Sequence, residues 1–486
     1  MPSFERMLKI MLWIASGILT IIFFWSVLHR LFYPYELYHE EGLAADHVQR
    51  ILEGKKLFVE PSMDFIPFIY TPLYFYIAAF FSKIIGFSFI PLRLVSILAA
   101  TGTAIIIFRW VQREGGNFLY AGFTAALFLA FYPAGLTFYD VGKPDMLFVF
   151  FSVTAFYAFH FGESRKAILF SAFLFLLAFL TKQSTLFFLT PFLIYVAFTN
   201  QKHKWSFIVG VLSSLIFSIC ILNLLTSGWF NFYIFKLPGN HPFRWESLWM
   251  FWQYNILLKY SLLFFLCLAL IFLLQTQKDG KRFWFYGFFF TGMVGCSWLS
   301  AIHNGDANVL IPANTAMALL TGIALVKIDK LIPKPEFSWL RSLLLVCLII
   351  QSADMFYNPR SLVPRKSDQL AADSFMNELK NTKGEIWFVY HGHYNYMLGK
   401  KMYANESSLL SLMEGDKKEW REKIMNEIQK TIDEKKFELI IMDLSWLEDE
   451  LSENYFREEI SYSDASNFIP VCGWRTRPKY IYRVKE

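Results

Sequence analysis

Charge is scarce in this sequence. Only 18% of its 486 residues are Asp, Glu, Lys or Arg, against about 25% in ordinary soluble domains, while 55% are hydrophobic and 19% aromatic. That balance excludes a wholly soluble globular chain and points to a membrane protein. Cysteine is scarce too. Cys220, Cys267, Cys296 and Cys347 sit in apolar runs and Cys472 stands alone in the polar tail, so there is no CxxC, zinc spacing or disulfide framework. No internal repeat or low-complexity tract is apparent.

The charge that is present is unevenly placed. Residues 1–353 hold 26 basic and 17 acidic side chains, and residues 354–486 hold 20 and 23, which divides the chain into a membrane part (1–353) and a soluble part (354–486). Arg6 and Lys9 precede an apolar run from Ile10 to Leu28, long enough for a bilayer span of about 20 residues and without a small-residue cleavage site. Ten further runs begin near Leu94, Phe118, Met146, Ala167, Leu186, Ser206, Ile256, Phe283, Val309 and Leu340, giving about eleven spans. The connectors at Arg109/Arg113, Arg165/Lys166, Lys202/Lys204, Lys278/Lys281/Arg282 and Lys327/Lys330/Lys334 are short and basic. By the positive-inside rule they face the cytoplasm, as does the N-terminus. The basic balance of the membrane part then reflects topology, not nucleic-acid binding.

This alternation requires the apolar stretch from Pro72 to Ile90, interrupted by Lys83 and Gly86, to lie along the outer surface. The odd number of spans places the tail outside. The tail alternates strand-like runs (Glu385 to Tyr390, Phe437 to Met442, Tyr480 to Val484) with a charged helical stretch from Gly415 to Lys435, the pattern of a small α/β domain. The expected fold is an α-helical polytopic membrane protein with a C-terminal extracytoplasmic α/β domain.

Chemistry gathers in the outer connectors. The first, residues 30–91, holds seven carboxylates, and Glu40 and Glu41 follow directly on the first span. Partial desolvation raises a carboxylate pKa toward working pH, which suits a general base. A solvated helix start favoured by the helix dipole is the other account of the pair, and the loop alone favours it. Lys143-Pro144-Asp145 forms the second connector, where Asp145 is a candidate for chemistry or a helix cap. Lys182 occupies the tightest outer turn, as a point charge for a phosphate or a snorkelling interfacial lysine. Residues 226–254 mix aromatic and basic side chains suited to sugar or prenyl contact, or to an interfacial belt. The compact polar loop of residues 303–308 offers His303 and Asn308 to a phosphate. His391 and His393 form a His-x-His pair with no third ligand at a recognised spacing.

Taken together, Glu40-Glu41, Tyr70-Thr71-Pro72-Leu73-Tyr74, Lys143-Pro144-Asp145-Met146-Leu147, Leu180-Thr181-Lys182 and Asn308-Val309-Leu310-Ile311-Pro312 resemble, in order and sidedness, the glycosyltransferases of the C superfamily (GT-C). The similarity is to the group with protein O-mannosyltransferases and the lipid A aminoarabinose transferase. The resemblance implies sugar transfer from a polyprenyl monophosphate to an acceptor hydroxyl at the outer membrane face, with inversion. It makes Glu40 the base, with Glu41 able to exchange roles, and gives Asp145 the positioning of acceptor or metal. Lys182 would lie near the donor phosphate, with Lys143, His303 and Asn308 as further phosphate ligands.

A divalent cation held by Glu40, Glu41, Asp64 and Asp145 is compatible with the resemblance. Expected partners are the lipid-linked donor, a lipid, glycan or protein acceptor and membrane lipids, in a prokaryotic inner membrane. A transporter or flippase for lipid-linked glycans is the alternative, and a non-catalytic scaffold a third reading.

Overall fold

The computed structural model describes residues 2–303, 305–331, 338–414, 418–464 and 466–485. Six of its helices are long and apolar enough to cross a membrane: Phe4–Leu31, Phe89–Arg113, Lys204–Leu225, Ser247–Thr276, Gly280–Ile302 and Ala307–Leu331. A bent pair, Trp339–Asp354 with Pro359–Leu379, gives a seventh if it counts as one span. Leu73–Ile85, Phe118–Ala130, Asp145–Phe161 and Thr185–Phe198 are apolar but shorter. The first nine helices are α1 (Pro2–Leu31), α2 (Glu41–Leu52), α3 (Leu73–Ile85), α4 (Phe89–Arg113), α5 (Phe118–Ala130), α6 (Asp145–Phe161), α7 (Arg165–Thr181), α8 (Thr185–Phe198) and α9 (Lys204–Leu225).

The helix Ile311–Leu331 is the axis of the bundle, buried from Ile311 to Val326. Its small residues let neighbours approach closely, as in membrane helix packing generally. A Cβ on Gly322 would fall within 2 Å of Thr124 Oγ1 on α5.

The run expected from Phe118 to Phe138 is helical only to Ala130. Pro133 and Gly135 interrupt it, and Leu136 and Thr137 turn the chain with positive φ of 46° and 65°. This turn is held from α1, where Arg30 pairs with Asp140 at 2.7 Å and donates to Thr137 Oγ1 at 3.0 Å and to the Leu362 carbonyl at 3.0 Å.

The C-terminal unit is a four-stranded sheet of β1 (Glu385–Phe388), β2 (Phe437–Met442), β3 (Tyr455–Glu459) and β4 (Tyr480–Val484) in the order β1-β2-β4-β3. β1 and β2 are parallel, while β4 runs antiparallel to both β2 and β3. β3 had no signal in the sequence because it is an edge strand, exposed from Phe456 to Glu459 and carrying Arg457, Glu458 and Glu459. Charge on an edge discourages pairing with other chains. The expected helix from Gly415 to Lys435 is seen as Lys418–Asp433, and residues 415–417 lie outside the described residues.

The unit docks on the first connector through its second apolar core. Tyr35 enters that core, edge-on to Tyr394 and Phe468, and donates to Asp373 at 2.6 Å. Beside it, His391 bridges two carboxylates. Its Nδ1 bonds Glu36 of the connector and its Nε2 lies 3.0 Å from Asp443, which also accepts from Thr476 at 2.6 Å. His393 turns away toward Asp46, 3.9 Å off, so the two histidines do not converge.

Burial alone would lower the His391 pKa, but Asp443 and Glu36 outweigh it and raise it to about 10. Burial lifts Glu36 to about 7 even against His391. Both values stand above the ordinary ones, about 6.5 and 4.3. The stability they carry is therefore full at lower pH and lost as pH climbs through about 7 and then about 10. Thermal melting between pH 6 and pH 10 should show falling stability. His391→Ala should lower the melting temperature at pH 6, by about 3 kcal/mol in free energy, and flatten that pH dependence.

Candidate active site

The geometry begins with a charge that the sequence reading passed over. Arg93, one turn into α4, is completely buried. Its guanidinium gathers the chain leaving α1 by donating to the carbonyls of Arg30, Tyr33 and Tyr35, and it grips Glu41 with two bonds of 2.8 and 2.7 Å. Glu41 also accepts the backbone N–H of Leu37 at 2.9 Å and of Gly142 at 2.8 Å. A Cβ on residue 142 would meet Glu41 Cγ and Leu92 Cβ at 3.0 Å, so glycine is what allows that approach. All four interactions turn Glu41 inward, and it does not line the cavity described below. As a candidate base it is corrected to an anchor.

Glu40, one residue earlier, points the opposite way. Successive side chains at a helix start diverge by about 100°, and with Glu41 fixed on Arg93 its neighbour faces outward. Glu40 meets Lys143 at 2.5 Å. Lys143 is set by the same clip, because its neighbour Gly142 is bonded to Glu41 and because Ser96 donates to the Val141 carbonyl at 2.7 Å.

A second pair lies beside the first. Lys182, directly after α7, meets Asp145 Oδ1 at 2.5 Å, and Asn308 donates to the same oxygen at 3.0 Å. Tyr70 lies between the two lysines, its ring centroid 5.6 Å from Lys143 Nζ and 5.3 Å from Lys182 Nζ. Thr71, bonded to the Phe179 carbonyl at 2.8 Å, and Gln183, bonded to the Ile69 carbonyl at 2.7 Å, fasten Tyr70 to the end of α7.

These groups open into a cavity of about 640 Å³, a size suited to a small-molecule site. Glu40, Lys143, Lys182, His303 and Asn308 line it. So do Ile234, Phe235 and His241 of the aromatic loop and, from the C-terminal unit, Glu406 and Trp474. Asp145 sits just behind, reaching the site through Lys182. Asn304, in the loop between His303 and Asn308, is outside the described residues. A second cavity of about 750 Å³ lies at the far ends of α6 and α8, lined by Phe159, Tyr195, Trp284, Lys202 and Lys281 among others. It lacks the paired charges of the first.

The pairs set the protonation states. Burial would lift the Glu40 carboxyl, but the charge of Lys143 and its hydrogen bond outweigh it and hold it below the usual range. Burial would lower both lysines. Glu40 and Tyr38 instead raise Lys143, and Asp145 and Tyr70 raise Lys182. His39 is kept near 4 by burial and is neutral. The cavity thus presents two ammonium groups, each balanced by a carboxylate.

The four carboxylates considered for a cation do not come together. Glu41 is on Arg93, Glu40 and Asp145 are each on a lysine, and Asp64 is about half exposed beside Lys401 at 2.8 Å. Among the described residues no three His, Cys, Asp or Glu side chains form a metal-binding group.

The fold has solved counterparts. The structure of ArnT from Cupriavidus metallidurans in the apo state matches with a TM-score of 0.63 at 11% identity, covering 97% of each chain. The same protein bound to undecaprenyl phosphate matches at 0.60 and 10%, covering 97% of this chain and 98% of that one. The archaeal oligosaccharyltransferase AglB from Archaeoglobus fulgidus, in complex with an inhibitory peptide and a dolichol-phosphate, matches at 0.52 and 12%, covering 96% and 76%. No curated protein sequence matches. Residues 69–226 match the family model described as dolichyl-phosphate-mannose-protein mannosyltransferase.

The shared fold and the family-model match over residues 69–226 both support the resemblance to GT-C glycosyltransferases. The segment matched by the family model contains Tyr70, Lys143, Asp145 and Lys182 and leaves out Glu40 and Asn308. Tyr70 entered the sequence reading only within the Tyr70–Tyr74 motif, and Arg93, Glu406 and Trp474 are site residues that it did not single out. Arg93 alone carried a signal, a charge at the edge of an apolar run.

Glu41→Gln should leave Arg93 as a buried unpaired cation and cost about 3–5 kcal/mol. Thermal melting should show that loss, while Glu40→Gln, which leaves Lys143 without its carboxylate but at the edge of a cavity, should lose less.

Proposed function

We propose that this integral membrane protein transfers a sugar from a polyprenyl-monophosphate donor to an acceptor hydroxyl at the outer face of a prokaryotic inner membrane, with inversion at the anomeric carbon. The observation that carries the proposal is the doubled lysine–carboxylate arrangement around Tyr70. It lies in a fold shared with a protein solved with undecaprenyl phosphate.

An entering phosphate monoester competes with Glu40 and Asp145 for the two ammonium groups. Fixed cations of this kind stabilise the charge that builds on a leaving phosphate, so the departing group needs no general acid. His303 and Asn308, which also line the cavity, act in this reading as further phosphate ligands. The apolar wall at Ile234 and Phe235 suits the first isoprene units.

Drawing Lys143 to the phosphate frees Glu40. Glu40 then takes the proton of the acceptor hydroxyl as its oxygen bonds to the anomeric carbon. The bond from that carbon to the phosphate oxygen breaks with its electron pair on the phosphate. The products are the glycoside and polyprenyl phosphate.

The topology that goes with this reading takes α5, α6, α7 and α8 as crossings together with the six long helices and Trp339–Asp354, and leaves α3 outside. About eleven spans result, the basic connectors lie inside and residues 354–486 lie outside. Residues 1–353 would form the catalytic part.

Purified protein incubated with a panel of polyprenyl-phosphate-linked sugars and acceptor extracts should release polyprenyl phosphate. Glu40→Gln should lower kcat by about 10²-fold or more, and Lys182→Ala should raise the donor KM. Absence of release from every donor by the wild type, with a lipid-linked glycan carried intact across proteoliposomes, would assign the chain to transport instead.

A further inference from the structure

The cavity has a wall that this mechanism does not use, and the C-terminal unit builds it. Glu406 opens the helix Glu406–Met413, and its backbone is fastened next to β1. Its N–H donates to the Val389 carbonyl at 2.7 Å, Asn405 Nδ2 donates to the Tyr390 carbonyl at 2.7 Å, and Asn405 Oδ1 caps the helix through Ser407 N at 3.0 Å. The residue is 5% exposed, and among the described residues its carboxylate accepts one hydrogen bond, from the Ser407 hydroxyl at 3.3 Å.

The other acids of the site are engaged. Glu40 is on Lys143, Asp145 on Lys182 and Asn308, and Asp306 accepts Ala307 N at 2.7 Å. Glu406 has no such cation among the described residues. Burial, and then the nearby Glu40 charge, lift its carboxyl to about 7.

Trp474 stands on the same wall and is 43% exposed. It meets His39 edge-on at 5.1 Å and lies 6.2 Å from Tyr390, contacts that steady the indole while much of it stays open. An open indole and a carboxylate without a salt-bridge partner, lining one cavity, suit a molecule with one apolar face and hydroxyls around its rim. A sugar ring has both features. A serine or threonine side chain offers a single hydroxyl and no face for the indole.

We propose that Glu406 and Trp474 form the acceptor subsite and that the acceptor is a carbohydrate, held by stacking on Trp474 and by a hydroxyl donating to Glu406. The proposal rests on the transferase reading above and adds the class of acceptor and the residues that hold it.

The test is transfer by the full-length chain from whichever polyprenyl-phosphate sugar supports release, with methyl glycosides of common hexoses and serine- and threonine-containing peptides as acceptor probes. Glycosides are expected to be used and peptides not. Glu406→Gln should raise the glycoside KM about tenfold or more, the worth of one charge-assisted hydrogen bond, with the donor KM within about twofold of wild type. Trp474→Ala should do the same and Trp474→Phe should recover part of the loss.

The ionised carboxylate is the form that accepts. The wild-type glycoside KM should therefore fall as pH rises through about 7 and be flat in Glu406→Gln, a signature that a merely structural role would not produce. An unchanged glycoside KM in both variants, or preference for peptides, overturns the acceptor assignment and leaves the transferase reading standing. Failure of the wild type to release polyprenyl phosphate from any donor overturns both.

Discussion

The pair of Arg93 and Glu41 is the constraint on which the site depends. Both groups are removed from water, and such a pair persists only when each remaining donor and acceptor is also satisfied. Here the extra bonds are the carbonyls of the chain leaving α1 and the N–H groups of Leu37 and Gly142. One buried ion pair thus ties together four stretches of chain: the end of α1, the start of α2, the second connector and α4. Glu40 and Lys143 are one residue away from atoms held by this node. Their meeting at 2.5 Å follows from the anchor more than from their own attraction.

A site of balanced charges has a physical advantage at a membrane surface. Two bare ammonium groups facing a partly apolar cavity would be costly to keep ionised. Pairing each with a carboxylate keeps them charged in the resting protein and lets an incoming anion exchange for the carboxylate. The same exchange would deliver phosphate binding and a freed base in one event. The aromatic rings of Tyr38 and Tyr70 around the lysines supply further favourable contact without adding charge.

The cavity is also a product of docking. The lining that carries Glu40, Lys143 and Lys182 comes from the helical part and another part of the wall from Glu406 and Trp474. The buried Glu36–His391–Asp443 bridge and the Tyr35 contact hold the two parts in register. The His391 pair with Glu36 is a contact between residues 355 positions apart, which no local pattern announces.

Composition and apolar run length were enough to read a membrane-embedded helical chain with a C-terminal α/β unit, because hydrophobicity and strand or helix periodicity are local properties. The same local reading placed Glu40, Lys143, Asp145 and Lys182 in connectors. It could not tell Glu41 from its neighbour, since adjacency in sequence says nothing of which carboxylate meets Arg93. It also ran α5 on past Ala130, where Arg30, a distant residue, holds the turn. Asp64 looked like a member of the acidic set and stands at the surface. The sequence by itself determined the solvent of each segment and the inventory of charges near the membrane. Only the tertiary structure decided which charges pair and which face the cavity, because those choices depend on contacts made across tens to hundreds of residues.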